Sequence, residues 1–457
     1  MDRASETKDL GLREMLPIRW PSRILGPKPG LEEVNLICWG MFVAFLVVPV
    51  CVILWLQLTS ASGSLRSLHS DFVYFYGIGR IVNEYSIVRV YDPGLQQKVF
   101  SQIYPLPTGA YGPSPYPPFV ALFFSLFARL TFNAAYLLWT VSSLALYSAG
   151  IAAIANTAFP KERLKISLIF CFALAFNPFF FGTLLNGQLA AIAVCSVGIA
   201  IFQESHSKPF ISGLALSLLV YKPTLLLLLL PMLLVTRRFR TLLGFITGAS
   251  ILILVTTALA GTQIWSVYVH FLHYFGHVAG LGGHSALQLW QFIDLNSFSY
   301  AIPGGRSSAG LEVLIGFTCA IVMYLGVLLW RSESCGRSGR KLAWAIALTW
   351  TLLLNVYIPI YDSVLVSIAV ILILGVMSDL KWPTATRGMT LLSLLIFAIS
   401  WVTEVFAKRY GIQLLSIFLM ALGLGQLLLL HRLIRRTFSN EQLRLIEERA
   451  TSFNSAI

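Results

Sequence analysis

The segment HSDFVYFYGIGRIVNEYSIVRVYDP, from His69 to Pro93, carries two carboxylates among aromatic residues and separates two strongly apolar runs. A carboxylate within hydrogen-bond reach of a hydroxyl can accept its proton while the oxygen attacks an electrophilic carbon. Asp71 follows Ser70, a helix-capping residue type, so it also fits a first helical turn, where a negative charge stabilises the helix dipole by about 0.3 to 1 kcal/mol. Asp92 precedes a proline, as in an ordinary turn. The spacing leaves both interpretations of each acid open.

A lysine inside an apolar run is the second feature with chemical potential. Lys222 is followed directly by Pro223. An ammonium at the centre of a membrane helix costs about 2.5 to 3.5 kcal/mol on insertion scales, so it should face a cavity or a partner. Two interpretations are open: Lys222 binds a lipid phosphate, for which Arg80 and Arg89 are alternative ligands, or it has a structural role and either snorkels to the interface or pairs with an acid.

Short polar motifs mark the boundaries of several apolar runs. They are Tyr91-Asp92-Pro93, Tyr116-Pro117-Pro118, Asn186-Gly187-Gln188 and Pro359-Ile360-Tyr361-Asp362. The amide side chains of Asn186 and Gln188 can hydrogen-bond one another, the backbone or hydroxyl groups of a substrate, and amides also join helices within membranes. Asp362 either helps to bind substrate, pairs with Lys or Arg, or is a structural acid at the interface.

Three histidines, His270, His273 and His277, share one helical face in an aromatic segment. Such spacing can ligate a metal, but no acid accompanies them on that face. We therefore predict an interfacial helix without metal, in which one histidine contacts substrate. Glycines precede His284, which is consistent with a gate over the site or with a plain loop.

The composition defines the class of protein that must position these residues. Hydrophobic residues make up 57% of the 457 and charged residues only 12%, with a mean hydropathy of +0.76. Apolar runs long enough to cross a hydrocarbon core recur along the whole chain. The candidate spans are 34–57, 117–131, 134–156, 165–184, 187–203, 209–235, 241–261, 309–330, 342–360, 363–379, 388–406 and 411–431. We therefore predict an all-α, polytopic membrane protein with about twelve transmembrane helices.

The net charge of +13 agrees with basic loops on the cytoplasmic side, and we find no nucleic-acid-binding motif. None of the six cysteines suggests a disulfide. We predict a cytoplasmic tail at 1–33, a single membrane domain at 34–436 and a second cytoplasmic tail at 437–457. Two large segments, 58–116 and 262–308, then face the extracytoplasmic side. This layout puts Asn186 and Gln188 on the inner side. The loop 160–165 is an exception among the basic loops, because the layout puts it on the extracytoplasmic side.

The residues after Asp71 predict a short helix that lies on the membrane surface. Apolar residues recur at spacings of three and four from Phe72 to Val82, with Ser70 as the cap. The aromatic rings of this helix, including those of Tyr74 and Tyr76, suit the boundary between headgroups and lipid tails. We expect these aromatics to anchor the helix in the membrane.

An ordered set of motifs resembles glycosyltransferase family 87. The set consists of Asp71-Phe72 with a tyrosine-rich helix, Tyr91-Asp92-Pro93, Tyr116-Pro117-Pro118, Asn186-Gly187-Gln188, Lys222-Pro223 and Arg237-Arg238-Phe239-Arg240. It covers mainly residues 70 to 260. Members of this family are GT-C enzymes, which use polyprenyl-phosphate-linked mannose at the outer membrane face.

The resemblance implies a function and a role for Asp71, which matches the family's acid at the start of the first outer loop. Asp71 would be the general base of an inverting displacement, and a single carboxylate suffices because polyprenyl phosphate leaves without protonation. We expect a glycolipid or glycan acceptor, membrane lipid as surroundings, and no cofactor or metal. Lys222, Arg80 and Arg89 are the candidate ligands of the donor phosphate. The candidate substrate contacts are Tyr74, Tyr91, Asp92, Tyr116, Asn186, Gln188, His284 and Asp362.

Other functions fit the same polytopic layout. A transporter or a flippase of lipid-linked glycan would use Lys222 and the helix broken at Pro223 as a substrate path. A glycan ligase or polymerase shares the large outer segments. For the transferase we expect a multi-pass location in the plasma membrane, with the active site on the extracytoplasmic side.

Overall fold

A computed structural model of the protein describes residues 71–103, 113–160, 163–278, 289–301 and 307–454. These residues are helical or irregular and include no β-strand, which confirms the predicted all-α class. An isolated antiparallel bridge joins Phe292 to Pro359. Ser70, His284 and the predicted span 34–57 lie outside the described residues.

The first outer segment contains helix α1 (Phe72–Glu84), a 3-10 turn (Ile87–Tyr91) and helix α2 (Pro93–Ile103). The apolar periodicity of α1 is as predicted, but its partner is protein and not lipid. Phe72 and Phe75 are 0% and 1% exposed, and Tyr76 donates a hydrogen bond to Leu130 O at 2.8 Å. The prediction that these aromatics anchor a surface helix in the membrane is therefore wrong for these three rings.

Helices α3 (Pro118–Phe127) and α4 (Phe132–Ala158) follow. Helix α1 packs directly on α3 because Gly79 has no side chain: a Cβ there would lie 2.3 Å from Phe124 O. Such close contact between helix backbones is typical of membrane helix packing. It holds α1, the helix that follows Asp71, against α3.

The next apolar run is bent. Helix α5 (Arg163–Leu174) is followed by a π-helix (Pro178–Leu185), and the two axes differ by 60°. Pro178 stands at the break, where a proline cannot continue the hydrogen-bond ladder of the preceding helix. The chain then enters α6 (Ala190–Ser205) through the motif Asn186-Gly187-Gln188.

The predicted span 209–235 is likewise broken. It divides into α7 (Pro209–Leu216), two 3-10 turns (Ser217–Tyr221 and Pro223–Leu226) and α8 (Leu229–Val235). Lys222 stands between the two turns with φ −140° and ψ 79°, because the proline after it disfavours the helical conformation. The interruption leaves the lysine backbone outside any helix.

The rest of the described chain continues the helical body. Its helices are α9 (Phe239–Ala260), α10 (Gln263–Val278), α11 (Leu295–Ala301), α12 (Ser308–Ser332), α13 (Gly336–Leu353), α14 (Leu365–Leu380), α15 (Pro383–Ser400), α16 (Thr403–Tyr410) and α17 (Leu414–Asn454). Short 3-10 turns precede α11, α13 and α14, at Leu289–Gln291, Glu333–Cys335 and Ile360–Val364.

Several helices are long and apolar enough to cross a membrane. Within the described ranges six qualify by length and composition, or seven if the bent pair at Pro178 counts as one span. The six are Phe132–Ala158, Phe239–Ala260, Gly310–Leu353, Ile360–Leu380, Pro383–Ser400 and Leu414–Ser439. The chain is therefore a membrane protein, while the count of twelve spans is not confirmed.

Arg238 joins several helices at one corner of the body. It is 7% exposed and forms ion pairs with Glu204 at 2.8 Å and with Glu333 at 2.6 Å. The Trp344 indole donates to the same Glu204 carboxylate at 2.9 Å. This motif arginine ties together the end of α6, the start of α9 and the turn between α12 and α13.

Candidate active site

Asp71 is the residue immediately before α1. Its side chain makes no capping hydrogen bond to the N–H groups of α1. Instead, one carboxylate oxygen accepts a hydrogen bond from Gln188 Nε2 at 2.9 Å. Gln188 is 6% exposed, so the amide holds the acid from inside the protein.

The turn that carries Gln188 is fixed by three donors. Phe72 N donates to Asn186 O at 2.9 Å, the Tyr136 hydroxyl to Leu185 O at 2.7 Å, and the Trp139 indole to Gly187 O at 2.9 Å. The first of these bonds uses an amide at the start of α1, a position that lacks a partner within its own helix. Backbone and side chain thus bind the same turn to Asp71.

This contact corrects the predicted topology. Hydropathy predicts Asn186 and Gln188 on the inner side and Asp71 on the outer side, yet Gln188 and Asp71 are hydrogen-bonded. The reason is the 60° bend at Pro178, which prevents the run 165–184 from being one straight crossing. Hydropathy alone does not report such a bend.

We expect Gly187→Ala to destabilise the protein and to weaken the Asp71 contact. Gly187 has φ +77°, and an added Cβ would lie 2.7 Å from Phe72 Cβ. Left-handed backbone at a residue other than glycine costs about 1 to 3 kcal/mol, before the steric clash is counted. Thermal unfolding in detergent should show a lower midpoint, whereas Gly388→Ala, where a Cβ meets nothing within 4 Å, should not. An unchanged midpoint for Gly187→Ala would contradict this account of the turn.

The second half of the site is an ion pair within the helical body. The Lys222 ammonium donates to the Asp362 carboxylate, and the two side chains are 17% and 1% exposed. The ammonium also lies 5.0 Å from the centre of the Tyr361 ring. Lys222 therefore has an acid partner, as one of its two interpretations predicted.

Tyr116 connects the two halves. Its hydroxyl lies 3.5 Å from Gln188 Oε1, and it also interacts with Tyr361, Asp362 and Asp71. Burial, together with the two carboxylates, raises the pKa of Tyr116. The phenol thus stays neutral and able to donate a hydrogen bond.

A glycine allows the two halves to approach. A Cβ on Gly182, in the π-helix, would lie 2.7 Å from Tyr361 Cβ. The π-helix therefore packs directly against the 3-10 turn that carries Asp362. Single π-helical turns occur often at functional sites, and this one positions Gln188 at its C-terminal end.

The cluster formed by Asp71, Tyr116, Gln188, Lys222 and Asp362 has the groups that a group transfer to a hydroxyl requires. Burial raises the pKa of the Asp71 carboxyl, which the Gln188 hydrogen bond partly offsets. A raised pKa makes the carboxylate a stronger base than free aspartate. The Lys222 ammonium supplies a positive charge within the same cluster.

Other predicted residues lie elsewhere. Arg80 pairs with Glu84 on α1, and Arg89 pairs with Asp92 at 2.9 Å. Asp92 Oδ1 also accepts hydrogen bonds from the amides of Gly94 and Leu95, so this acid caps α2 as an ordinary turn residue does. The Tyr74 ring packs edge-on against Phe100, with centroids 5.2 Å apart. Arg80, Arg89 and Asp92 thus have partners within the first outer segment.

A groove opens beside this cluster. It has a volume of about 590 Å³ and is lined, among the described residues, by Tyr91, Pro93, Ser266, Val267, His270, Phe271 and Tyr274. None of these side chains is an acid, a lysine or an arginine. The hydroxyl of Tyr91 donates to Tyr116 O at 2.8 Å, so the wall of the groove is attached to the cluster.

Sequence reasoning missed two residues that support the site. Asp294 accepts a hydrogen bond from Ile358 N, and Asn355 donates to Thr224 O at 2.7 Å. These two partners lie 64 and 131 residues away along the chain, so local pattern gave no signal for either contact. Within the described part of the chain, no three His, Cys, Asp or Glu side chains form a group that could hold a metal.

Comparison with models of protein families gives a match. The model of glycosyltransferase family 87 matches residues 115–359, more than half of the chain. The matched range contains Tyr116, Gln188 and Lys222, whereas Asp71 and Asp362 lie outside it. No curated protein and no solved structure matches the chain.

Proposed function

The chain belongs to glycosyltransferase family 87, and from this membership in a family of membrane glycosyltransferases we propose a specific reaction for it. It transfers mannose or a related hexose from a polyprenyl-phosphate donor to a hydroxyl of a glycolipid or glycan. Asp71 acts as the general base. The enzyme resides in the plasma membrane, with its active site on the extracytoplasmic side.

One observation carries this proposal: a buried amide holds the Asp71 carboxylate in the same cluster as a lysine ammonium. The acceptor oxygen attacks the anomeric carbon, and its proton passes to Asp71 as the new bond forms. The bond between the anomeric carbon and the phosphate oxygen breaks, and its electron pair leaves with the phosphate. This single displacement inverts the anomeric centre.

Lys222 is the proposed ligand of the donor phosphate. A cation that faces the charge developing on the leaving phosphate stabilises the transition state more than the ground state. Asp362 keeps the ammonium in place when donor is absent, because an unpaired lysine in this apolar setting is costly. The phosphate would then share Lys222 with Asp362.

The proposed reaction is tested by sugar transfer in membranes that contain the full chain. Polyprenyl phosphate carrying radiolabelled mannose is supplied together with a panel of neutral glycolipid acceptors. We expect labelled glycolipid and free polyprenyl phosphate to form in equal amounts, with inverted anomeric configuration. A nucleotide sugar that labels the acceptor without any lipid-linked donor would overturn the proposed donor class.

The groove is the proposed acceptor subsite. Its lining combines aromatic rings with hydroxyl and imidazole groups, which suits the mixed apolar and polar surface of a sugar. Because the described lining residues carry no lysine or arginine, the groove suits a neutral sugar better than a lipid phosphate. The hydrogen bond from Tyr91 to Tyr116 O links this subsite to the cluster that contains Asp71.

We expect His270→Ala and Tyr274→Ala each to raise the KM for the acceptor by roughly tenfold, a loss of about 1.4 kcal/mol of binding. The KM for the donor should change less than twofold. His206→Ala is a matched control, because both imidazole Nδ1 atoms contact the carbonyl four residues earlier, at 2.7 Å for His270 and 2.8 Å for His206. A rise confined to the donor KM would instead assign the groove to the lipid.

A further inference from the structure

Asp294 is a buried acid that the proposed chemistry does not use. It is 0% exposed, and its carboxylate accepts hydrogen bonds from Ser297 N at 2.8 Å, Ser297 Oγ at 2.9 Å and Ile358 N at 2.8 Å. The first two bonds cap helix α11, whereas the third reaches a segment 64 residues away. Asp294 therefore joins the second outer segment to the chain that leads to Asp362.

The segment that Asp294 holds is irregular and strained. Ile293 N donates to Ile358 O at 2.9 Å, and the bridge from Phe292 to Pro359 continues the pairing. Between these contacts and α13, Tyr357 has φ +59°, a left-handed conformation that is uncommon for a tyrosine. Such a conformation persists only where the surroundings enforce it.

The same segment is attached on its other side to the lysine turn. Asn355 Nδ2 donates to Thr224 O at 2.7 Å and to Thr351 O at 3.1 Å. Thr224 is two residues beyond Lys222, and Asp362 is four residues beyond Ile358. The register of this segment thus decides how the Asp362 carboxylate meets the Lys222 ammonium.

From these contacts we propose that Asp294 is a positioning residue for donor binding. Asp294 fixes the backbone at Ile358 and thereby the position of the 3-10 turn that carries Asp362. Asp362 then orients Lys222. The inference rests on the proposed function, in which Lys222 binds the donor phosphate. A displacement of about 1 Å in a reacting group can lower the rate roughly a hundredfold. A small shift of this turn should therefore have a measurable effect on catalysis.

Asp294→Asn tests the link with little change in volume. An amide has one acceptor oxygen, so it can serve either Ser297 N or Ile358 N but places an NH₂ group against the other. Ser297→Ala is the matched control, since it removes the hydroxyl bond to Asp294 and leaves the bond to Ile358. Both variants are made in the full chain and compared for folded yield in detergent.

Hydrogen exchange supplies a readout that does not need activity. We expect Asp294→Asn to speed exchange in the peptide 355–362 by about tenfold or more, with the peptides of α9 unchanged. Ser297→Ala should leave the peptide 355–362 protected. Unchanged exchange in Asp294→Asn would overturn the inference that Asp294 fixes this turn.

The kinetic readout separates positioning from a merely structural role. In Asp294→Asn the KM for the lipid-phosphate donor should rise about tenfold, while the KM for the acceptor changes less than twofold. Faster exchange with an unchanged donor KM would refute the positioning role. If the wild type transfers no sugar, the proposed function fails, and binding of farnesyl phosphate then tests the positioning role on its own. Weaker binding to Asp294→Asn than to Ser297→Ala would support the link from Asp294 to Lys222. Equal binding would overturn it.

Discussion

Replacing Asp71 by Asn is expected to lower the rate of sugar transfer by about 10²- to 10⁴-fold, the usual contribution of a general base. The amide keeps the shape of the side chain and can still accept the hydrogen bond from Gln188 Nε2 after rotating its oxygen into place. It cannot accept the proton of the acceptor hydroxyl. The measurement is transfer from polyprenyl-phosphate mannose at saturating donor and acceptor.

The same substitution should not destabilise the protein. Burial raises the pKa of Asp71 in the folded state, so the ionised form is disfavoured there relative to the unfolded chain. The stability associated with this carboxyl is present below its unfolded pKa and is lost as the pH rises through its folded pKa. Because Asn resembles the neutral acid, Asp71→Asn should unfold at the same temperature as the wild type or at a higher one at neutral pH.

The raised pKa also predicts a direction for the pH dependence of catalysis. Only the ionised Asp71 can accept a proton, so the wild-type rate should fall on acidification at a higher pH than the usual aspartate range. Glu84→Gln, at the other end of α1, is the control, since Glu84 is exposed and pairs with Arg80. Full transfer activity in Asp71→Asn, at normal protein level, would exclude Asp71 as the base.

Replacing Lys222 by Met is expected to abolish transfer and to destabilise the fold by about 3 to 5 kcal/mol, the cost of leaving one partner of a buried ion pair alone. Asp362 is 1% exposed, so solvent cannot replace the lost ammonium. Activity falls because the phosphate loses its cation. Unfolding in detergent and transfer kinetics measure the two effects separately.

The double variant Lys222→Met with Asp362→Asn distinguishes stability from function. Removing both charges takes away the unpaired carboxylate, and replacing a buried ion pair by neutral groups is often close to neutral for stability. We therefore expect the double variant to regain most of the lost unfolding free energy and none of the transfer activity. Recovery of transfer together with stability would show that Lys222 is a structural cation and not a phosphate ligand.

The sequence identified members of the site but not their arrangement. Asp71, Tyr116, Gln188, Lys222 and Asp362 stood out because polar groups are conspicuous between apolar runs. Spacing along the chain did not say which of them meet. The same criterion also selected residues whose partners lie outside the site. The sequence around a charged residue beside an apolar run is the same whether that residue is catalytic or structural.

For the helices, too, the sequence predicted the class of structure but not the arrangement. Composition and hydropathy were sufficient for an all-α membrane protein because a chain of apolar runs must satisfy its backbone within helices. They could not show that Phe72 and Phe75 face protein, because lipid and protein interior are equally apolar. Nor could they show the bend at Pro178 or the break at Lys222, where one run becomes several elements.

By itself the sequence therefore determined the membrane class, the all-α class, and the acids, amide and lysine that are available for catalysis. Only the tertiary structure decided the pairs, Gln188 with Asp71 across 117 residues and Lys222 with Asp362 across 140. Such contacts depend on close approaches at Gly79, Gly182 and Gly187, where a single Cβ would separate the elements. Helical periodicity reaches only three or four residues along the chain, whereas these pairs depend on how whole elements pack.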